Sequence, residues 1–218
     1  MSGWEERAAA SLLPLSRSPT FWVALREWRY TGRFFDLENT DGTCELCSQR
    51  DLRYHFEIAD RGTRGELLVG SECIKRFDLS GLDEEGREID AADTARLVDR
   101  HRRGLVEDAR RQRVMTALLK LGQATPDFDA GSFLGYVDDR GAFTPKQLAM
   151  IFWRLQGSAV PYRPSDFRLT IRRDREKAQL RSMPEAAYRR VEPAMTKAQR
   201  ATIERIKVRF AAWGQSWR

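Results

Sequence analysis

The hydrophobic pattern changes period along the chain. Around residues 53–58 apolar and polar side chains alternate, with Tyr54, Phe56 and Ile58 on one side and Arg53, His55 and Glu57 on the other. A two-residue period predicts a strand, here over Leu52–Ala59. Turn-rich Asp60–Gly65 follows, and Glu66–Val69 reads as the return strand. Gly70 breaks the pattern, and Ser71 is placed to cap a helix beginning at Glu72. Upstream, Ser18-Pro19 reads as a cap and first helical residue, with Phe21, Trp22, Leu25 and Trp28 as an apolar helix face. Arg33–Glu38 reads as a strand leading towards the hairpin.

Further on the period becomes helical. Acidic, glycine-containing residues 79–90 read as a linker, and a long helix is expected from Ala91 to Leu121 with Gly122 as its stop. Thr144-Pro145-Lys146-Gln147 and Thr196-Lys197-Ala198-Gln199 are both T-x-x-Q. In such a capping box the Thr and Gln side chains bond the free amides of a helix start. Phe143 precedes the first box, placed to staple to Leu148. Between the boxes, helices are expected over Asp166–Arg181 and Pro184–Val191. The fold class that follows is mainly α with a small β-hairpin module, or α+β. It divides into an N-terminal helical segment 1–32, a hairpin/helix module 33–78, a linker 79–90 and a basic helical region 91–218.

Chemistry enters with the cysteines. There are three, Cys44 and Cys47 as C-x-x-C and Cys73 in the first turn of the helix after the hairpin. Two thiols two residues apart suit a tight turn converging on one metal ion, and a helix start favours a thiolate. Knuckle, hairpin, then helix is the order of a treble-clef-like finger around structural Zn²⁺. A metal can close a hairpin that buries too little apolar surface to fold by itself. The usual second helix ligand falls on Arg76, which cannot serve. The fourth ligand is therefore open between His55, Glu72, Asp41 and water, with His55 preferred because it lies between the C-x-x-C and Cys73. An odd cysteine count argues against a disulfide framework.

Glu27-Trp28, the C-x-x-C, Leu52-Arg53-Tyr54 and Val69-Gly70-Ser71-Glu72-Cys73-Ile74-Lys75-Arg76-Phe77 together resemble a pattern in poorly characterised bacterial and bacteriophage proteins. The resemblance covers roughly residues 25–78. It implies a zinc-binding module and no established activity. The acidic start, Met1-Ser2-Gly3-Trp4-Glu5-Glu6, is unlike a secretory signal, and no apolar run approaches the ~20 residues a bilayer requires. The expectation is a cytoplasmic protein of a bacterial cell or phage-infected host.

Charge changes the picture again. The 218 residues carry a net +6, but residues 140–218 hold 18 Lys and Arg against 6 Asp and Glu, a net +12, and residues 1–139 a net −6. A basic third of this kind points to DNA or RNA. The candidate phosphate contacts are Arg168, Arg172, Arg173, Arg175, Lys177, Arg181, Arg189, Arg190, Arg200, Lys207 and Arg209. Arginine suits this role because it grips phosphate through two parallel hydrogen bonds. The arginines of the long helix, interleaved with Asp93, Asp99, Glu107 and Asp108, read instead as a solvated face. There is no Walker-type phosphate loop, no H-E-x-x-H and no zinc-deaminase signature. No catalytic motif and no small-molecule substrate are identified. The reading is a non-enzymatic nucleic-acid-binding accessory protein. The alternative is a module that docks onto a larger nucleic-acid machine through a protein partner.

Overall fold

Trp28 and Tyr30 are almost wholly buried, and they open a strand instead of closing a helix. The computed structural model describes residues 3–63 and 65–212, with side chains through Arg205. The chain forms two units, Met1–Ala109 and Arg110–Arg218.

In the first unit, helix α1 (Gly3–Leu12) and a single turn α2 (Phe21–Ala24) precede β1 (Trp28–Asp36). The expected apolar helix face therefore ends early: Phe21 and Leu25 are buried, Trp22 is exposed, and Trp28 belongs to the sheet. Glu27 explains the break. Its carboxylate accepts from the Arg17 and Ser18 amides at 2.8 and 3.0 Å, folding the chain back before the strand starts. β2 (Tyr54–Asp60) and β3 (Glu66–Val69) form the expected hairpin, and α3 (Ser71–Arg76) follows. Ser71 is the first helical residue and Gly70 stands at the cap.

Residues 79–90 are not a linker. β4 (Gly81–Leu82) and β5 (Glu88–Ile89) are an antiparallel pair, and β4 runs parallel to β1 with Gly81 opposite Tyr30. The Asp83 carboxylate holds the turn by accepting from the Glu85 and Arg87 amides at 3.0 and 2.8 Å. The sheet order is β3-β2-β1-β4-β5. β2 lies inside it, and His55, Phe56, Glu57 and Ile58 are all buried although they point alternately to opposite faces, so both faces are covered there. Arg33 Nε meets the buried Glu57 carboxylate at 2.7 Å. The core gathers Leu12, Trp28, Tyr30, Phe56, Ile58, Val69 and Ile74.

Helix α4 (Ala91–Ala124) begins in the first unit and continues into the second. It runs past Gly122. A Cβ there would stand 2.7 Å from the Ala130 Cβ, so glycine permits close packing and does not stop the helix. The second unit adds α5 (Ala130–Arg140), α6 (Pro145–Gln156), α7 (Asp174–Arg181), α8 (Glu185–Val191) and α9 (Lys197–Ala212). Its core includes Leu118, Leu121, Phe143, Leu148, Phe152 and Phe167.

The helix expected over Asp166–Arg181 is real only from Asp174. Phe167–Arg173 is non-helical and partly extended, because Phe143 captures it: Phe143 N donates to Arg168 O and Thr170 N to Phe143 O, both at 2.8 Å. Glu176 then sets the helix start by accepting from the Arg173 amide at 3.0 Å and the Thr170 hydroxyl at 3.0 Å. Burial would raise the Glu176 pKa, but the Arg173 amide, Thr170 and the Arg172 amide together hold it below the ordinary value.

Both capping boxes form. Thr144 Oγ1 accepts from the Gln147 amide at 3.4 Å while Gln147 Oε1 accepts from the Thr144 amide at 2.9 Å. The second box has the same two bonds, at 3.2 and 2.9 Å. Thr144→Ala and Thr196→Ala should each lower the unfolding free energy by about 1 kcal/mol. Urea unfolding curves measure this, and unchanged midpoints in both variants would contradict the boxes.

Candidate metal centre and basic groove

The first candidate site grows from the turn at Cys44–Cys47. Ser48 N donates to Cys44 O and Cys44 N to Gln49 O, each at 2.8 Å, which curls the knuckle. Ser48 takes a φ of 60°, an uncommon conformation for a side-chain-bearing residue. Three further contacts fix where the knuckle points. The Glu45 amide donates to Leu68 O on β3 at 3.0 Å, and the Glu45 carboxylate accepts from the Leu68 amide. Arg7 of α1 donates to Cys47 O at 2.8 Å. α3 supplies Cys73 from the far end of the hairpin.

The three sulfurs converge. Cys73 Sγ is 3.5 Å from Cys44 Sγ and 3.3 Å from Cys47 Sγ, and all three thiols are buried and free of disulfide. Their ligand atoms lie within 4.8 Å of one another, a grouping able to hold a metal ion. Tetrahedral thiolate ligation at about 2.3 Å places sulfurs roughly 3.8 Å apart. A small expansion of the triangle therefore suffices. The Cys44 thiol is lowered to about 5, chiefly because Cys73 donates to it, with the Gly70, Cys47 and Leu46 amides assisting against burial. Cys73 is pushed up, by donating to Cys44 and by burial.

His55 does not join them. Among the described residues, the group within 4.8 Å consists of the three cysteines alone. His55 Nε2 lies 3.2 Å from the Thr43 carbonyl, and its buried Nδ1 has no partner. A Cβ on Gly42 would stand 2.3 Å from the imidazole Cε1, so the chain at residue 42 closes directly over the ring. The other two side-chain alternatives are also outside the group: Glu72 pairs with Lys75 at 2.8 Å, and Asp41 is exposed. His101 serves the sheet. Its Nδ1 lies 2.8 Å from Tyr30 Oη and its ring stacks on Phe34. Burial lowers its pKa.

The second candidate site lies in the second unit. A cavity of about 790 Å³ is lined by Arg110, Arg140, Arg168, Arg172 and Arg173 beside Tyr136. Three of these arginines were among the expected phosphate contacts. Arg110 and Arg140 were not, and their helical spacing gave no hint that α4, α5 and the 167–173 segment meet. Asp139 and Glu176 are the carboxylates on its wall, and Glu176 is turned to backbone amides and Thr170.

The remaining expected contacts are dispersed. Arg175 is exposed on α7, where Lys177 pairs with Asp174 at 3.0 Å and Arg181 is also exposed. On α8 Arg189 pairs with Glu185, while Arg190 Nε donates to Gln156 Oε1 at 3.1 Å. Arg200 is exposed on α9. Lys207 and Arg209 have side chains outside the described residues. The solvated-face reading of the α4 arginines holds for several of them: Arg96 pairs with Asp93 and Arg111 with Asp138. Arg113 instead grips the buried Asp166 with two bonds, at 2.8 and 2.9 Å.

Cys73→Ser should abolish metal uptake, measured by elemental analysis of protein purified without chelator. Hydrogen exchange should then rise across residues 41–77 and stay unchanged across residues 110–205. A full equivalent of metal retained by Cys73→Ser would refute the site. Among the described residues no helix is long and apolar enough to cross a membrane. No family model matches the chain, and neither a curated protein nor a solved structure matches it, so the reading of both sites rests on their own chemistry.

Proposed function

We propose that this protein is a nucleic-acid-binding accessory protein with a structural zinc site. Zinc, held by Cys44, Cys47 and Cys73 in a treble-clef-like arrangement, ties knuckle, hairpin and helix together in the first unit. The second unit carries the binding surface. The observation behind this reading is the groove in which five arginines from α4, α5 and the 167–173 segment share one cavity. Guanidiniums gathered at a concave wall raise the local concentration of polyanion and bind phosphate oxygens in pairs. Phosphates carry no base identity, so the binding is sequence-tolerant, to DNA or RNA. Tyr136 offers a face on which an unpaired base stacks.

A second reading is docking onto a protein of a larger nucleic-acid machine. It draws on Trp153, 53% exposed on α6, and on Leu119, 50% exposed on α4. Exposed aromatic and aliphatic side chains of this size are common anchors at protein interfaces.

The two readings separate by salt titration. Each phosphate contact contributes about 0.9 to the slope of log affinity against log salt on duplex DNA. The Arg140→Ala/Arg172→Ala/Arg173→Ala variant should therefore lose roughly 2.7 units of slope, measured by fluorescence anisotropy, with sequence preference unchanged. Wild-type protein that ignores single- and double-stranded DNA and RNA at low salt would replace the first reading with the second.

A further inference from the structure

The cysteine site has one face left over. A cavity of about 490 Å³ is walled by Cys44, Cys47 and Cys73 together with Arg53, Arg76 and Arg102. All six belong to the first unit. We propose that the fourth position of the bound metal opens into this cavity and is filled by an exchangeable anion from solvent, not by a side chain. The inference rests on reading the three cysteines as a zinc site.

Three observations carry it. Histidine, cysteine, aspartate and glutamate donors close enough to complete the set are missing among the described residues, where the group within 4.8 Å has three members. His55, the natural fourth ligand by sequence, is turned to the Thr43 carbonyl. Zinc wants four donors, and a site offering three from protein completes its shell from whatever the adjoining space supplies. The adjoining space here is open cavity, lined by all three cysteines.

The walls select the sign of that donor. Zinc with three thiolates carries one net negative charge, so a further anion is disfavoured unless cations stand nearby. Arg53 is largely committed, with two bonds to Asp36 at 2.7 and 2.8 Å. Arg76 lies with its guanidinium 4.0 Å from the Trp4 ring centroid, fixed in direction yet not neutralised by a carboxylate there. Arg102 makes no ion pair among the described residues. Asp51 and Glu72 also line the cavity, and Glu72 is already paired with Lys75. Arg76 and Arg102 are thus the charges that offset a bound anion.

Cobalt(II) reports the site because its visible bands depend on donor set and geometry. Cobalt-loaded full-length protein should show thiolate-to-cobalt bands, and azide should shift its d–d bands saturably. Arg102→Ala should weaken azide about tenfold without altering the azide-free spectrum. His55→Ala, Asp51→Asn and Glu72→Gln should leave that spectrum unchanged. X-ray absorption of the zinc form should fit three sulfurs and one light atom. Cobalt bands indifferent to azide, or a spectrum changed by one of the three side-chain variants, would overturn the open position and leave the zinc reading standing. Protein that takes up neither zinc nor cobalt would overturn both.

Discussion

Three sulfur atoms from distant stretches of chain meet in the first unit, and the local architecture there depends on that meeting. The pieces they join are small. β3 has four residues, α3 has six, and the knuckle is a bare turn. Ordering each backbone residue costs about 1–2 kcal/mol, and such pieces bury little apolar surface of their own to offset it. Hydrogen bonds aim the sulfurs: Glu45 to Leu68, Arg7 to Cys47, and the Gly70 amide to Cys44 Sγ at 3.4 Å. Three buried thiols this close form a group able to hold a metal ion. The binding free energy of a metal held there would be folding free energy.

What could be read from the sequence was local, and what could not was set by partners far along the chain. The C-x-x-C, the β2–β3 hairpin and the two capping boxes each occupy a few adjacent residues whose chemistry is self-contained. The structure places His55 outside the cysteine group, turned to the Thr43 carbonyl, and the alternation of the strand gave no sign of that. A two-residue period says which side of a strand a residue takes and nothing about what covers that side. The chain at Gly42 closes over that side, so His55 is buried although it faces away from the apolar stripe. The β4–β5 hairpin eluded the pattern because two-residue strands have no period to detect, and their placement depends on Tyr30. Phe167 and Ile171 are spaced like a helix stripe. The Phe143 backbone claims that segment instead, and Glu176 sets the later helix start with no Ser, Thr, Asp or Asn at the cap.

Arginine number and arginine chemistry are different quantities here. A guanidinium whose charge is met by a nearby carboxylate attracts little from solution, and surface pairs of that kind contribute little to stability. In the last third of the chain Arg154 and Arg189 belong to this class, and the Lys177 ammonium is met by Asp174 in the same way. Arg113 has a structural role, since Asp166 is buried and would be costly to leave unpaired. The net charge of the last third of the chain therefore overstates its available positive surface. The groove gathers Arg110, Arg140, Arg168, Arg172 and Arg173, and a concave wall adds the fields of its residues while convex helix faces disperse them.

Each unit has an apolar core of its own, and they differ in how polar groups are held. The second closes around an apolar centre in which Phe152 and Phe167 meet edge to face and Leu118, Leu148 and Ile151 are fully buried, with Asp166 and Glu176 buried beside it. Its polar demands are met by the Arg113–Asp166 pair and by caps, with Gln199 closing its own helix start and donating to Leu169 O at 2.6 Å. That single bond links the last described helix to the extended segment that carries Arg168 and Arg172. The position of the groove arginines is thus secured by backbone bonds and a capping side chain.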